Sequence, residues 1–466
     1  MDMLISNIRL TLLLPFLILA ACGGEEVSQV GTAIENVTVI DAVNGVRPNQ
    51  TVIFSGDRIV AVQSASIPVE AGETINGSGK FLIPGLWDFH VHLTYDERLV
   101  EAMPALFLAW GITSVRDTGG LLEEVLPVVA AMEAEGARAP RVFYAGPLLD
   151  GEFVVYDGDG RPEIGTPVPT ADAARRIVGE LHEAGVDFIK VYEMVTPGVF
   201  EALVAAAEAL DLPIDSHVPL ALRAREAGPR VDSIEHLRNI EMDCAANATA
   251  LHAERLAQLR NPDALAGADL RTSLHSLQRI PAVNNYDAVE CDAVIAALAD
   301  TVMVPTLRLN SFGLAPPYAR RDWEQALTRL PPDVRSDWQA QGEQRAAQGP
   351  GDTTFAEWSL FLTRRMHEAA VPIGAGTDTP INLSIPGYSL HAELAMLVRA
   401  GLSPLEAIAA ATLEPARYFG LEETMGSIEV GKVADLLLLD ADPLADIDNT
   451  KRLVGVFSKG RRVFSD

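Results

Sequence analysis

The stretch Phe81-Leu82-Ile83-Pro84-Gly85-Leu86-Trp87-Asp88-Phe89-His90-Val91-His92 reads as an apolar strand entered through a Pro-Gly turn and ending in two spaced histidines. On a strand, residues i and i+2 project to the same side, so His90 and His92 can grip one cation with their imidazole nitrogens. The chain holds nine histidines. An HxH pair can arise among that many by chance, so the flanking sequence decides what the pair means.

Working outward, short apolar segments alternate with longer amphipathic helical ones. Candidate strands are 86–92, 112–117, 141–146, 188–192, 213–217, 233–236, 302–307 and 372–378. Such alternation predicts parallel βα units. No Gly-rich phosphate loop follows the first strand, which favours a closed (β/α)8 TIM-like barrel over an open doubly wound sheet. Two spacers, about 237–300 and 310–370, are oversized and read as helical insertions, either roofing the barrel mouth or decorating its surface. Residues 34–80 and 421–466 share a different texture of short β-rich runs and turns, such as Ser55-Gly56-Asp57. They predict a small β-sandwich domain built from both ends of the chain around a barrel at 81–420.

With these segments in place, the chain resembles the amidohydrolase superfamily, in the branch of imidazolonepropionase-like and Xaa-Pro dipeptidase-like enzymes. The matching motifs are the HxH strand, Gly111-Ile112-Thr113-Ser114-Val115-Arg116-Asp117-Thr118-Gly119-Gly120, Asp187-Phe188-Ile189-Lys190-Val191-Tyr192, Ser216-His217, Ser233-Ile234-Glu235-His236 and Gly374-Ala375-Gly376-Thr377-Asp378. Residues 426–436, Gly426 to Leu436, are similar to the family's return into its small β domain. The resemblance implies two divalent metal ions, with zinc the default. It puts His90, His92 and Asp378 on one metal and His217 and His236 on the other. Lys190 would bridge them after N6-carboxylation. A free ammonium repels cations, whereas the carbamate presents two anionic oxygens, and burial among Phe188, Ile189 and Val191 would help expose the neutral amine that captures CO2.

That constellation implies hydrolysis by a hydroxide shared between the cations, with Asp378 taking the water proton and passing it to the departing nitrogen. The leading substrate is an amide in a dipeptide or an N-acyl amino acid. A cyclic amide such as an imidazolone, or a lactone, is the alternative within the same chemistry, and a non-catalytic metal-containing binding lipoprotein is the alternative outside it. Tyr192, Arg308 and His391 are candidate substrate contacts. Tyr192 could offer its hydroxyl and Arg308 its planar fork to a carboxylate, while His391 either lines the pocket or starts a helix. The dipeptidase-like relatives often carry a Gly-Gly-His stretch after strand three. Here Ala145-Gly146-Pro147 leads into Leu148-Leu149-Asp150-Gly151-Glu152, so a histidine from that loop is absent.

The 466 residues are 48% apolar and 21% charged, an ordinary globular composition. A net charge of −28 argues against nucleic acid or an anionic membrane surface as partner. Residues 10–21, LTLLLPFLILAA, are too short for a comfortable span and read as an export signal cleaved after residue 21. Leu19-Ala20-Ala21-Cys22 resembles a bacterial lipobox, which implies acylation of Cys22, a tether over 22–33, and an envelope lipoprotein facing the periplasm or outer membrane. Membrane contact would be through that anchor alone; the sequence leaves a homo-oligomer open. In an oxidising compartment Cys244 and Cys291 are expected to pair as a disulfide stapling the first insertion, with two buried thiols as the alternative.

Overall fold

A computed structural model describes residues 31–261, 265–349 and 351–465. The expected signal segment, the tether up to residue 30 and Cys22 lie outside the described residues.

Both ends of the chain meet in one eight-stranded sheet. Its order is Arg461–Ser465, Leu453–Ser458, Leu436–Leu439, Phe81–Pro84, Thr32–Asp41, Gly45–Ser55 and Arg58–Ser64, with Glu73–Asn76 added beside Thr32–Asp41. The expected sandwich is therefore one continuous sheet. The ten-residue strand Thr32–Asp41 is long enough to pair along one edge with both Glu73–Asn76 and Phe81–Pro84, so no second layer separates. The sheet curls until its last strand, Arg58–Ser64, reaches the segment leading into Leu436–Leu439: Ile59 N–H donates to Lys432 O at 2.9 Å and Ala434 N–H to Asp57 O at 2.8 Å. Inside the curl, the rings of Phe54 and Phe457 stand 5.3 Å apart amid Ile34, Val37, Val39 and Val52.

The Pro-Gly turn at residues 84–85 hands the chain to the parallel α/β body. Leu86–Val91, Ile112–Asp117 and Arg141–Tyr144 form one parallel sheet. Leu148–Asp150, Gly165–Pro167, Ile189–Val191, Ile214–Ser216, Ser233–Glu235 and Val302–Val304 form another, also parallel. The strand expected over 372–378 is not a continuous strand. It threads between Val302–Val304 and Leu86–Val91, bonding through Gly374 N–H to Met303 O (2.9 Å), Phe89 N–H to Ala375 O (2.9 Å) and Asp378 N–H to His90 O (2.8 Å). Only glycine fits this close passage, because a Cβ on Gly376 would lie 2.6 Å from the His90 Cβ and 2.7 Å from Val304 Cγ1.

Helices cover the body and are capped where the sequence signals a start. Ala171–Glu183 opens on Thr170, whose hydroxyl accepts from Ala173 N–H, and Pro404–Ala410 opens on a Ser403/Glu406 capping box. The first insertion contributes Ile240–Asp243, Ala248–Leu259, Gly267–Asn284 and Ala288–Ala297. The second contributes Trp323–Leu327, Pro332–Ala347 and Thr354–Glu368. A disulfide joins Cys244 to Cys291 across 47 residues of the first insertion, both buried.

A crosslink over a loop of that length removes disorder from the unfolded chain and is worth about 2–4 kcal/mol. Cys244→Ser with Cys291→Ser is expected to lower the thermal midpoint by several degrees. Thermal unfolding of the protein with and without reductant checks this, since reductant should shift the wild-type midpoint and leave the double variant's in place.

Candidate metal centre

Four imidazoles gather where the parallel strands end. Ring centroids lie 5.3 Å apart for His90 and His92, 4.6 Å for His90 and His236, and 4.8 Å for His217 and His236. All four are buried, as are Lys190 and Asp378. Asp378 Oδ1 lies 3.2 Å from His90 Nε2 and 3.3 Å from His92 Nε2. His90, His236 and Asp378 form the group whose ligand atoms all lie within 4.8 Å of one another.

The outer nitrogens explain why the inner ones face each other. Each Nδ1 is engaged away from the centre: His90 with Glu235, His92 with Gly119 O at 2.9 Å, His217 with Glu193 at 2.9 Å, and His236 with the Thr306 hydroxyl at 2.7 Å. A carbonyl or carboxylate there requires Nδ1 to carry the proton, which leaves Nε2 as a lone pair for a cation. His90 Nε2 and Asp378 Oδ1 are buried without a hydrogen-bond partner. Orphaned acceptors beside a carboxylate are what a metal ion satisfies, so the residues fit one.

Below the imidazoles lies a buried charge network. The Arg116 guanidinium binds Glu235, whose other oxygen holds His90, and also donates to Ser233 Oγ at 3.0 Å and Phe89 O at 2.8 Å. Its face lies over the Phe89 ring, 3.7 Å from the centroid. Lys190 Nζ donates to Asp215 Oδ2 at 2.8 Å, and Asp215 also accepts from Ser233 Oγ at 2.9 Å. Burial opposes ionisation of Asp378, yet the His236, His90 and His92 imidazoles outweigh it and hold the carboxyl well below the usual range. Burial likewise opposes a charge on His90, but the Glu235 carboxylate beside it wins and raises the imidazole to about 9, so a cation taken up at Nε2 would displace the proton held there. In His217 and His236 burial prevails and both stay neutral, the form that binds metal.

The three candidate substrate contacts separate. Tyr192 is at the centre, its ring 4.4 Å from His217. Arg308 is not aimed at the mouth: it is buried, and its guanidinium donates to Ile381 O at 2.8 Å and Asn382 O at 3.5 Å, bracing the loop behind Asp378. His391 lies elsewhere, fully buried between Thr450 Oγ1 (2.8 Å) and Trp110 O (3.0 Å), with burial pushing it down to about 3. Hydrogen bonds on both ring nitrogens hold it between helix Tyr388–Ala400, the turn Ile447–Lys451 and Trp110.

Sequence reasoning missed the outer partners. Glu193 is the chief of these: fully buried, it accepts from His217, from Arg271 Nε and Nη2 at 3.0 and 2.7 Å, and lies 2.8 Å from His275 Nε2. His275 comes from the first insertion, on helix Gly267–Asn284. Glu235 stands next to His236 and Asp215 two residues before His217, and that proximity in sequence was the available signal.

Gly376 offers the sharpest local test, since its hydrogen atom faces His90. Gly376→Ala is expected to cost about 1–3 kcal/mol through overpacking and to reduce bound metal by moving His90. Unfolding midpoints read with metal analysis by mass spectrometry check both.

Residues 361–463 match the Amidohydrolase family. Over 77 residues the chain is 39% identical to an imidazolonepropionase of Symbiobacterium thermophilum, a match covering 16% of this chain and 18% of that relative. The chain thus spans less than a fifth of that curated relative's length. Solved structures match far more: a candidate prolidase from Bifidobacterium longum is 25% identical with a TM-score of 0.63, covering 93% of this chain and 94% of that one. A Xaa-Pro dipeptidase with bound methionine reaches a TM-score of 0.64 at 20% identity, covering 93% and 100%. The family match lies near the C-terminus, and the fold is shared almost throughout with these solved structures.

Proposed function

We propose that the protein is a metal-dependent hydrolase of an amide C–N bond in a dipeptide or an N-acyl amino acid. The observation that carries this reading is the set of four imidazoles, each tied down through Nδ1, around a buried carboxylate whose Oδ1 has no hydrogen-bond partner. In the proposal the two parallel sheets close into one (β/α)8 barrel through residues 372–379. The parallel bridges Met303 to Ile373 and Val91 to Thr379 support that closure.

His90, His92 and Asp378 would hold one divalent ion, and His217 and His236 the second, with Lys190 carboxylated between them. Conversion of the Lys190 ammonium to an anion suits a centre receiving two cations, and Arg116 stands by to offset the added negative charge near Asp215 and Glu235. Bound there, zinc or a similar ion supplies Lewis acidity that acidifies water and polarises the scissile carbonyl. Asp378 does the proton work. With Oδ1 beside His90 and His92, its carboxylate is placed to accept a proton from the attacking water and deliver it to the departing nitrogen. Tyr192 lies against His217 and can orient the acyl group with its hydroxyl.

Structural neighbours that include a Xaa-Pro dipeptidase and a bottromycin amidohydrolase support a peptide-like amide, while the imidazolonepropionase relative supports the cyclic-amide alternative. The lipobox-like residues 19–22 extend the proposal to an exported, lipid-anchored enzyme that meets peptides or foreign amides outside the cytoplasm.

Metal-stripped protein is expected to lose hydrolysis of a dipeptide and N-acyl amino acid library and to regain it with zinc, read by product mass analysis. Asp378→Asn is expected to lower turnover by about 10²–10⁴-fold. Full turnover in that variant would remove the assigned proton shuttle.

A further inference from the structure

Just past the ligand His236 the chain makes a turn that few sequences would tolerate. His236, Leu237 and Asn239 have φ of 61°, 58° and 69°, and none is glycine. Each left-handed residue costs about 1–2 kcal/mol, more than such a short turn needs. The surroundings hold it in place. Asn310 Nδ2 donates to His236 O at 2.8 Å, while Asn239 donates to Val218 O at 3.1 Å and accepts from Arg255 at 3.0 Å. The residue this turn presents is Arg238.

Arg238 is half-exposed and makes no hydrogen bond or ion pair among the described residues. Of the cations around it, Arg116 is paired with Glu235, Lys190 with Asp215, Arg271 with Glu193 and Arg279 with Glu241, while Arg255 is buried and turned to Asn239 and Gln278. The charge of Arg238 is felt at Tyr192, His217 and His236. In a chain of net charge −28, an arginine kept free of carboxylates at the edge of the candidate metal centre stands out. Beside it runs an aromatic arc. Centroids step from His92 to Tyr95 (6.0 Å), Tyr95 to Tyr156 (6.3 Å), Tyr156 to Tyr192 (5.8 Å) and Tyr192 to His217 (4.4 Å). Such a wall takes a flat apolar group.

We propose that Arg238 is the substrate-recognition residue for a free carboxylate, so that the substrate is an amide carrying an α-carboxylate, with an apolar or aromatic side chain against Tyr95, Tyr156 and Tyr192. This rests on the amide-hydrolase reading above. A planar guanidinium takes a carboxylate through two parallel hydrogen bonds, and it discriminates strongly against the uncharged amide of the same shape. Among the described residues Arg161 is another arginine near the arc without an ion pair, but it lines a cavity together with Asp157, Asp159 and Glu163.

The test uses the metal-loaded full chain and two probes, N-acetyl-L-phenylalanine and its C-terminal primary amide. Wild-type protein is expected to favour the free acid by about tenfold or more in kcat/KM. Arg238→Met should erase that preference through KM for the acid, with the C-terminal amide unaffected, and Arg238→Lys should restore part of it. Arg161→Gln should keep it. Binding of both probes, followed by calorimetry on the same proteins, separates the two readings. If neither probe is cleaved but the acid binds wild type and not Arg238→Met, the hydrolase reading loses support for this substrate while the carboxylate site stands. Equal handling of acid and amide by wild type, no binding of the acid, or an acid preference that survives in Arg238→Met would overturn the inference.

Discussion

Glu235 has one oxygen on the Arg116 guanidinium and the other on His90 Nδ1, all three groups buried. An unpaired ion in such a place would cost several kcal/mol, and removing one partner of a buried pair typically costs about 3–5 kcal/mol. The fold therefore assembles with these groups together. That joins three strands: Ile112–Asp117 supplies Arg116, Ser233–Glu235 supplies the carboxylate, and Leu86–Val91 supplies the histidine. The same contact sets the tautomer of His90 and turns Nε2 toward Asp378. Stability and site geometry here are one arrangement.

The other imidazoles repeat this logic with different partners. A backbone carbonyl serves His92, a hydroxyl serves His236, and Glu193 serves His217. Glu193 ties the site to the first insertion, because Arg271 and His275 come from helix Gly267–Asn284. The disulfide pins that insertion at both ends of its span. The insertion is thus part of the site's support.

Asp88 performs a similar service for the last segment. Its carboxylate accepts from Thr377 N–H at 3.0 Å and the Thr377 hydroxyl at 2.7 Å, and burial lifts its pKa to about 7. Those bonds hold Asp378 one residue further on, where φ is 60°. Glycines at 374 and 376 admit the segment between its neighbours, and Arg308 braces the residues that follow.

The sequence by itself determined the strand and helix alternation, the pairing of the chain's two ends in a small sheet, and the short motifs bearing His90, His92, Lys190, His217, His236 and Asp378. These are legible because each is local: a strand period, a Pro-Gly turn, a ligand beside an apolar run. Only the tertiary structure decided that the small sheet is a single curled one, that residues 372–378 thread through as bridges, that Arg308 donates to the carbonyls of Ile381 and Asn382 and His391 bonds Thr450 and Trp110, and that Glu193, Arg271, His275 and Arg238 stand around the imidazoles. Those outcomes depend on which side chains meet across tens or hundreds of residues. Burial energies and charge pairing settle such meetings only after the chain has closed, and no local period encodes them.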